Sequence, residues 1–306
     1  METAIEARNL VLTSASRASV IEDLHLSIHQ SETLGLFSFE STAASLLLRS
    51  FSGRYPIRGG EVFLGSFNAR RDPGHVRTIS TFVPQDPTFD EFFSVLDNLI
   101  LFQRFHGIRT KSAIPEARRC LRHFQLEDLE DRTPSDLTPY QRRALVMARA
   151  WSVHADYVFL DQPTFGLKHS EAERLWGLIQ LAKTPQQTLV FSSQDRWEVE
   201  NYCDRVGLLT GGQIVKVGPP KEMVHQDIGN EVVEFDLSQN EFDYYEKRIR
   251  DSFDYHVADD CLHLYLKNDQ DRQKSLELIS SDQVLIRRAN LGDVLNKASS
   301  VRGAQL

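Results

Sequence analysis

The sequence predicts an α/β protein built on a largely parallel sheet, with a small α+β appendage toward its C-terminal end. Three observations predict it. Short apolar runs such as Thr33-Leu34-Gly35-Leu36-Phe37 and Tyr157-Val158-Phe159-Leu160 are too short for ordinary helices and read as buried strands. Segments rich in helix formers lie between them, the alternation that parallel strands require. After about Asn230 the pattern changes: Glu231-Val232-Val233-Glu234-Phe235-Asp236-Leu237 alternates at period two, as a half-exposed strand does.

In chain order, the strand Thr33–Phe37 leads through a short polar stretch into a helix over 43–51, with Gly53 placed to stop it. Gly59-Gly60 precedes a strand over 61–64, and residues 79–83 form another, ended by Pro84. Residues 94–106, 113–125 and 142–151 read as helices. A buried strand over 157–160, a helix over 169–182 and a strand over 188–192 follow, and Pro219-Pro220 punctuates the chain. The appendage reads as a helix over 239–250, strands near 253–257 and 261–266, a helix over 270–279, a strand over 283–287 and a last helix over 291–298. The expected division is residues 1–228 and 229–306, without internal repeats or low-complexity segments.

The 306 residues are 41% hydrophobic and 25% charged, proportions that argue against disorder, collagen and coiled coil. A formal net charge of −8 argues against nucleic acid as partner, because broad nucleic-acid binding favours a basic field. No apolar run approaches the roughly 18–20 residues that span a bilayer. Met1-Glu2-Thr3-Ala4-Ile5-Glu6 lacks the basic-then-apolar order of a secretory signal. Cys120, Cys203 and Cys261 are scattered and form neither a disulfide framework nor a zinc cluster. These features lead us to expect a cytoplasmic protein, free to dock peripherally on a membrane protein.

The segment 34–53 resembles the phosphate-binding loop and following helix of an ABC transporter ATPase subunit. Further landmarks follow in family order: Val83-Pro84-Gln85, Leu137-Thr138-Pro139-Tyr140-Gln141-Arg142-Arg143, Tyr157 through Thr164, Thr188 through Asp195, Cys203-Asp204-Arg205-Val206 and Gly211-Gly212-Gln213-Ile214-Val215. The resemblance covers roughly residues 5–225. It implies a P-loop NTPase-like ABC ATPase fold with an antiparallel β subdomain and a helical subdomain, here with the C-terminal α+β domain added. Asn98-Leu99 and the tail most resemble exporter-type subunits that serve a separate permease chain.

Inside these landmarks, the residues that carry chemistry are changed. The family's phosphate loop is Gly-x-x-x-x-Gly-Lys-Ser/Thr: glycines let backbone N–H groups wrap the phosphates, Lys reaches the β- and γ-phosphates, and the hydroxyl holds Mg²⁺. The segment here is Ser38-Phe39-Glu40-Ser41-Thr42-Ala43-Ala44-Ser45, followed by Leu46. The resemblance makes Ser38, Ser41, Ala43, Ala44, Ser45 and Leu46 a vestigial phosphate loop in which Ala44 replaces the lysine. Glu40 adds a negative charge. At ~5 Å and an effective dielectric of about 20, one unit-charge contact amounts to roughly 3 kcal/mol. Losing Lys and gaining Glu therefore opposes triphosphate binding by on the order of several kcal/mol.

Asp161 matches the family's Mg²⁺-side carboxylate, but the next position, normally a catalytic Glu, is Gln162. A neutral amide holds a water but cannot act as a base near neutral pH. Gln194 stands at the family's His position, replacing a titrating imidazole with an amide, and Lys168 stands where Asp is usual. Ser45, Gln85 and Asp161 are the metal-site candidates should Mg-ATP bind. The family's Leu-Ser-Gly-Gly-Gln signature, which serves the nucleotide of a second subunit, is Leu137, Thr138, Pro139, Tyr140 and Gln141 here. Pro139 removes an amide donor and Tyr140 adds bulk where close backbone approach needs glycine. The stretch 14–20 holds no aromatic residue on which adenine would stack.

These substitutions lead us to expect a pseudo-ATPase with no required cofactor, paired as a heterodimer with a competent ABC ATPase-type subunit and with an integral-membrane permease. Two alternatives stay open: an active ATPase that tolerates the changes, with Lys168 replacing the lost charge, and a cytosolic ABC-type adaptor without a permease. In the tail, His256 and His263 flank Asp259-Asp260, where a metal site is the less favoured reading, and Phe242, Tyr244 and Tyr245 read as core or interface.

Overall fold

The computed structural model describes residues 2–14, 19–236, 242–250, 252–258, 261–278 and 284–303. Two long strands, β1 (Thr3–Thr13) and β2 (Ser19–His29), open the chain as an antiparallel pair. Next come β3 (Thr33–Phe37), α1 (Ser41–Phe51), β4 (Gly59–Leu64), β5 (Phe67–Asn68), α2 (Pro73–Ile79) and β6 (Ser80–Val83). Three helices follow: α3 (Val95–Phe105), α4 (Thr110–His123) and α5 (Pro139–Trp151). The chain then returns through β7 (Tyr157–Asp161), α6 (His169–Ala182), β8 (Thr188–Ser193), α7 (Arg196–Tyr202), β9 (Arg205–Thr210), β10 (Gln213–Gly218) and α8 (Pro220–Asp227).

These strands form two sheets. One is antiparallel, in the order β2-β1-β4-β5; the other runs β10-β9-β3-β8-β7-β6, parallel from β9 to β6 with β10 antiparallel at its edge. Residues of β3 and β8 are buried along their whole lengths, which is why they read as continuous rather than alternating apolar runs. α1 joins the sheets: Ala44, Leu47, Leu48 and Phe51 pack in one apolar core with Leu10, Ile21, Leu36, Val62 and Phe159. A second core unites α3, α4 and α5 through Leu99, Leu121, Phe124, Leu145 and Trp151. Trp176 of α6 is enclosed there, stacked on Tyr202 at 4.8 Å and edge-on to Phe191 at 4.7 Å. Burying a side chain of this size contributes about 1.5–3 kcal/mol.

The C-terminal elements are β11 (Glu231–Asp236), α9 (Phe242–Ile249), β12 (Asp254–Ala258), β13 (Cys261–Leu266), α10 (Asp269–Leu278), β14 (Val284–Arg288) and α11 (Leu291–Gly303). Their sheet, β12-β13-β11-β14, is antiparallel throughout. α11 returns to the earlier part of the chain: Leu291, Val294 and Leu295 enter the core with Met223 and Ile228, and the Leu291 amide donates to Glu200 Oε1 of α7 at 3.0 Å.

Several boundaries differ from the sequence reading. Ile79 closes α2 instead of opening a strand; a seven-residue helix is too short to show a helical period. α4 starts at Thr110, ahead of the expected 113. α5 starts at Pro139 because Thr138 and Gln141 cap each other: the Gln141 amide donates to Thr138 Oγ1 at 3.3 Å, and the Thr138 amide to Gln141 Oε1 at 2.9 Å. Proline suits the first helical position because its missing N–H is needed by no helical partner. α11 continues to Gly303, past the expected 298. The expected positions 237, 239–241, 279 and 283 lie outside the described residues.

Close packing of α7 on β3 depends on a glycine. A Cβ on Gly35 would meet Val199 Cγ1 at 2.9 Å and Cys203 Sγ at 3.2 Å. Gly35→Ala is expected to lower stability by about 1–3 kcal/mol in chemical denaturation; wild-type stability would show that α7 moves aside without loss.

Candidate functional site

The site forms at the C-terminal ends of β3, β7 and β8, where the following loops meet the start of α1. Only Ser38, Phe39 and Glu40 separate β3 from α1. Ser41, Ala43, Ala44, Ser45 and Leu46, which the resemblance assigns to a vestigial phosphate loop, lie in the helix; the helix read over 43–51 is present and starts two residues earlier, at Ser41. The reason is local: without glycines at 38 and 43, and with Ala43-Ala44 favouring helix, nothing holds the chain in a wrapping conformation. Ala44 is 2% exposed and belongs to the apolar core. Glu40 is the exposed N-cap of α1 and makes no side-chain cap bond.

The remaining loop polar groups are largely engaged. The Ser38 amide donates to the Ser193 carbonyl at 3.4 Å, and the Glu40 amide to Ser38 Oγ at 3.1 Å. Gln194 reaches across from the end of β8, its Nε2 donating to the Phe39 carbonyl at 2.7 Å. The amides in the first turn of α1 have no intrahelical acceptors and are the donors that face an anion from this side.

Asp161 ends β7 and is 1% exposed. Ser45 Oγ donates to its Oδ2 at 2.6 Å, and Ser192 Oγ to its Oδ1 at 2.8 Å. Each carboxylate oxygen thus has a hydroxyl donor, the condition under which a buried carboxylate is tolerated. Gln162, next along the chain, is buried at φ 47, the left-handed region that few non-glycine residues adopt. Its amide holds that conformation by donating to Ser192 Oγ at 3.0 Å and to the Ser192 carbonyl at 3.2 Å.

Beside these residues opens a cleft of about 560 Å³, lined among others by Phe39, Gln162, Phe165, Gln194 and Glu198. Glu198, on α7, was not singled out by sequence reasoning. It is 2% exposed and accepts hydrogen bonds from Trp176 Nε1 at 2.9 Å, from Thr164 Oγ1 and from Ser193 Oγ. Burial pushes its carboxyl above the usual glutamate range, against the opposing pull of those three donors. Nothing in the local sequence separates Glu198 from Glu200 two positions on; only the packing of α7 under Trp176 decides which is enclosed. The cleft also touches Gly292 at the start of α11.

α5 ties residues 137–141, at its start, to the Gln85 loop. Arg143 is 7% exposed and donates to the Gln85 carbonyl at 2.7 Å and to the Phe165 carbonyl at 3.0 Å. Arg149 donates to the Thr88 carbonyl at 2.8 Å and lies over the rings of Phe89 and Phe102, its guanidinium pushed down to about 10 by burial. Of the basic residues of this helix, Arg142 pairs with an acid, Glu91, at 2.8 Å. Tyr140 is half-buried beneath Arg174, with its hydroxyl enclosed. Thr138, Pro139 and Gln141 form the capped start of α5, and Leu137 is buried beside them. Lys168 is exposed at the start of α6, where its amide donates to Glu171 Oε2 at 3.0 Å.

In the tail, His256 and His263 face each other across β12 and β13, and His263 Nδ1 lies 2.9 Å from Glu234 Oε1. Asp259 and Asp260 lie outside the described residues, and among those described no group of three metal-type ligands forms. Tyr245 is buried edge-on to Phe235 at 5.2 Å, a core residue as expected. The side chains of Phe242 and Tyr244, like positions 15–18 of the stretch read for adenine stacking, lie outside the described residues.

Residues 21–165 match the family model described as ABC transporter. The chain is 29% identical over 218 residues to the Nod factor export ATP-binding protein I of Cupriavidus pinatubonensis, a match that covers 70% of this chain but 66% of the relative's length. It is 26% identical over 285 residues to the protein of the same name from Mesorhizobium japonicum, covering 93% of this chain and 83% of that one. Among solved structures, it resembles cbiO1 of Clostridium perfringens, part of the ABC transporter complex cbiONQ, with a TM-score of 0.66 at 18% identity, over 82% of this chain and 97% of that one. It also resembles a dimeric post-hydrolysis state of the ATP-binding cassette MJ0796 bound to ADP and Pi, with a TM-score of 0.63 at 19% identity, over 70% and 98%. At these identities the structural likenesses speak for the fold alone, and the fold they give is that of ABC ATP-binding cassettes.

Removing the buried carboxylate tests its structural part. Asp161→Ala leaves the Ser45 and Ser192 hydroxyls without their acceptor and is expected to lower stability by about 1–3 kcal/mol in denaturant titration. Glu198 gives a pH signature. Its folded carboxyl binds a proton more tightly than the unfolded one, so its ionisation lowers stability as pH rises from the ordinary value of 4.5 through the raised folded value. The melting temperature of Glu198→Gln minus that of wild type is therefore expected to be small at acid pH and to grow in favour of the variant as pH rises. A difference that shrinks with rising pH would contradict this.

Proposed function

Starting from the ABC transporter ATP-binding domain that this chain carries, we propose that it is a non-catalytic subunit: a structural or regulatory partner of a competent ATPase subunit and of a membrane permease. The observation that carries the reading is Ala44. It stands where the family places its phosphate-binding lysine, and it is a packed core residue on a helix that begins before it.

Mg²⁺-ATP is the ligand that the fold family implies, and the residues here fit it poorly. The first turn of α1 offers amide donors but no cation, and the exposed Glu40 carboxylate stands at the same helix end. Gln194 ties the loop carbonyl of Phe39 to the end of β8, and Gln162 offers no base. On the second face, Pro139 has no N–H, and the Gln141 amide is engaged by Thr138. Neither face presents the glycine-lined approach that a γ-phosphate needs. What remains is architecture: Ser45, Asp161 and Ser192 lock α1, β7 and β8 together, and Arg143 locks the Gln85 loop to the Phe165 loop.

Permease docking is supported by the segment after Gln85. Phe92 is 96% exposed and Phe93 is also exposed, on a loop held from below by Arg142 and Arg149. Large exposed aromatics on a braced loop suit a protein partner. The relatives named as export ATP-binding proteins support a place on the cytoplasmic face of a membrane beside an export permease. In this reading residues 1–228 form the degenerate ATPase domain and 229–306 an accessory domain, which acts on the first through α11 and Glu200.

One observation favours an active enzyme instead: Ser45 and Asp161, the hydroxyl and carboxylate that the family uses at Mg²⁺, still meet at 2.6 Å. Hydrolysis by the purified chain decides between the two. No Mg²⁺-dependent ATP turnover above background is expected, alone or after adding the vesicle-reconstituted permease. Robust turnover that Asp161→Asn abolishes would establish the active reading.

A further inference from the structure

Away from the site just described, the residues following α1 form a cleft of about 610 Å³ with β5 and α2. Its charged lining residues are Arg54, Arg70 and Arg77, with no acidic residue among the lining. In a chain of net charge −8, this is a local inversion of sign.

The three guanidinium groups are held by neutral partners. Arg54 Nη1 donates to the Ser52 carbonyl at 3.0 Å, and Arg77 Nε to the Gly53 carbonyl at 3.0 Å. Arg70 donates to the carbonyls of Gly60 and Arg58, both at 3.2 Å. Among the described residues none of the three meets a carboxylate. Arg71, next along the chain, takes the nearby acid, pairing with Glu61 at 2.6 Å. Arg54 also lies over the Phe82 ring, 6.0 Å from its centroid, with Arg49 over the same ring at 5.9 Å. Burial, and then the charge of Arg77, push the Arg54 guanidinium down to about 10.

A guanidinium that is enclosed and repelled by its own kind is stabilised by an anion more than a solvated one is. Backbone carbonyls fix the forks in orientation while using only part of their donors, since each guanidinium carries five N–H groups. Several planar forks around one cavity match an anion with several oxygens, and a cavity of this size holds more than the anionic group alone. We propose that this cleft binds a phosphate-type anion, borne either by a small soluble molecule or by a lipid headgroup. The proposal is independent of whether nucleotide binds near Ser45, because neither Ser45 nor Asp161 lines this cleft, and it shares no lining residue with the 560 Å³ cleft.

The test uses the full chain. Pyrophosphate is titrated by calorimetry at low ionic strength, and flotation is followed with phosphatidylcholine vesicles with and without phosphatidic acid. At least one probe is expected to bind, and binding is expected to weaken about tenfold or more in Arg70→Gln/Arg77→Gln and to fall with added salt. Pyrophosphate binding assigns the soluble source; flotation only with phosphatidic acid assigns the lipid; both uphold the site. Arg54→Met should weaken binding further, and should it fail to fold, the exposed pair carries the same test. Binding of neither probe overturns the proposal. Binding that the double variant leaves unchanged also overturns it, because the anion then sits elsewhere. Uptake of a glutamate-rich peptide in preference to both phosphate probes would assign the cleft to a protein partner and overturn it as well.

Discussion

The buried carboxylate of Asp161, held by one hydroxyl from α1 and one from β8, is the contact on which the site depends. A carboxyl group this deep is expensive to bury unless both oxygens are satisfied. Ser45 and Ser192 satisfy them, and in doing so they fix the start of α1 against the ends of two central strands. Ser192 also accepts from the Gln162 amide, which keeps that residue in its left-handed conformation. One polar cluster thus sets the helix, the strand ends and the backbone turn from which the adjoining loops depart.

The substitutions around that cluster share a direction. Positions 44, 162 and 194, which the resemblance aligns with a cation, a base and an imidazole, carry an alanine and two glutamines. Alanine lets α1 start early and pack its first turn into the apolar core; glutamine at 194 bridges to Phe39 where an imidazole would titrate. Charge disappears while contacts are kept or added. Glu198 is the exception, a carboxyl beneath Trp176 that burial drives toward its neutral form. It braces α7, which in turn receives the N-terminal end of α11 through Glu200, so the C-terminal part of the chain leans on an element that lines the site cleft.

Arginine is used here in two opposite ways. Arg143 and Arg149 are enclosed and bonded to carbonyls of the loops around Gln85 and Phe165, where they hold backbone in place. Arg54, Arg70 and Arg77 are bonded to carbonyls as well but gather around open space. The first group is inward bracing; the second leaves positive charge facing a cavity in an otherwise acidic protein.

The sequence by itself determined the central sheet, because strands buried on both faces appear as unbroken apolar runs whatever surrounds them: β3 was read to the residue, and β7 and β8 to within one. The identities of Ala44, Gln162 and Gln194 likewise need no coordinates. The antiparallel N-terminal strands, α2 and α7 were not legible, being irregular in register or too short to show a period. The enclosure of Ala44 in the apolar core was decided by tertiary structure. So were the burial of Glu198, the inward turn of Arg143 and the gathering of Arg54, Arg70 and Arg77. Each depends on groups distant in sequence arriving together, and local sequence carries no record of which neighbours will arrive.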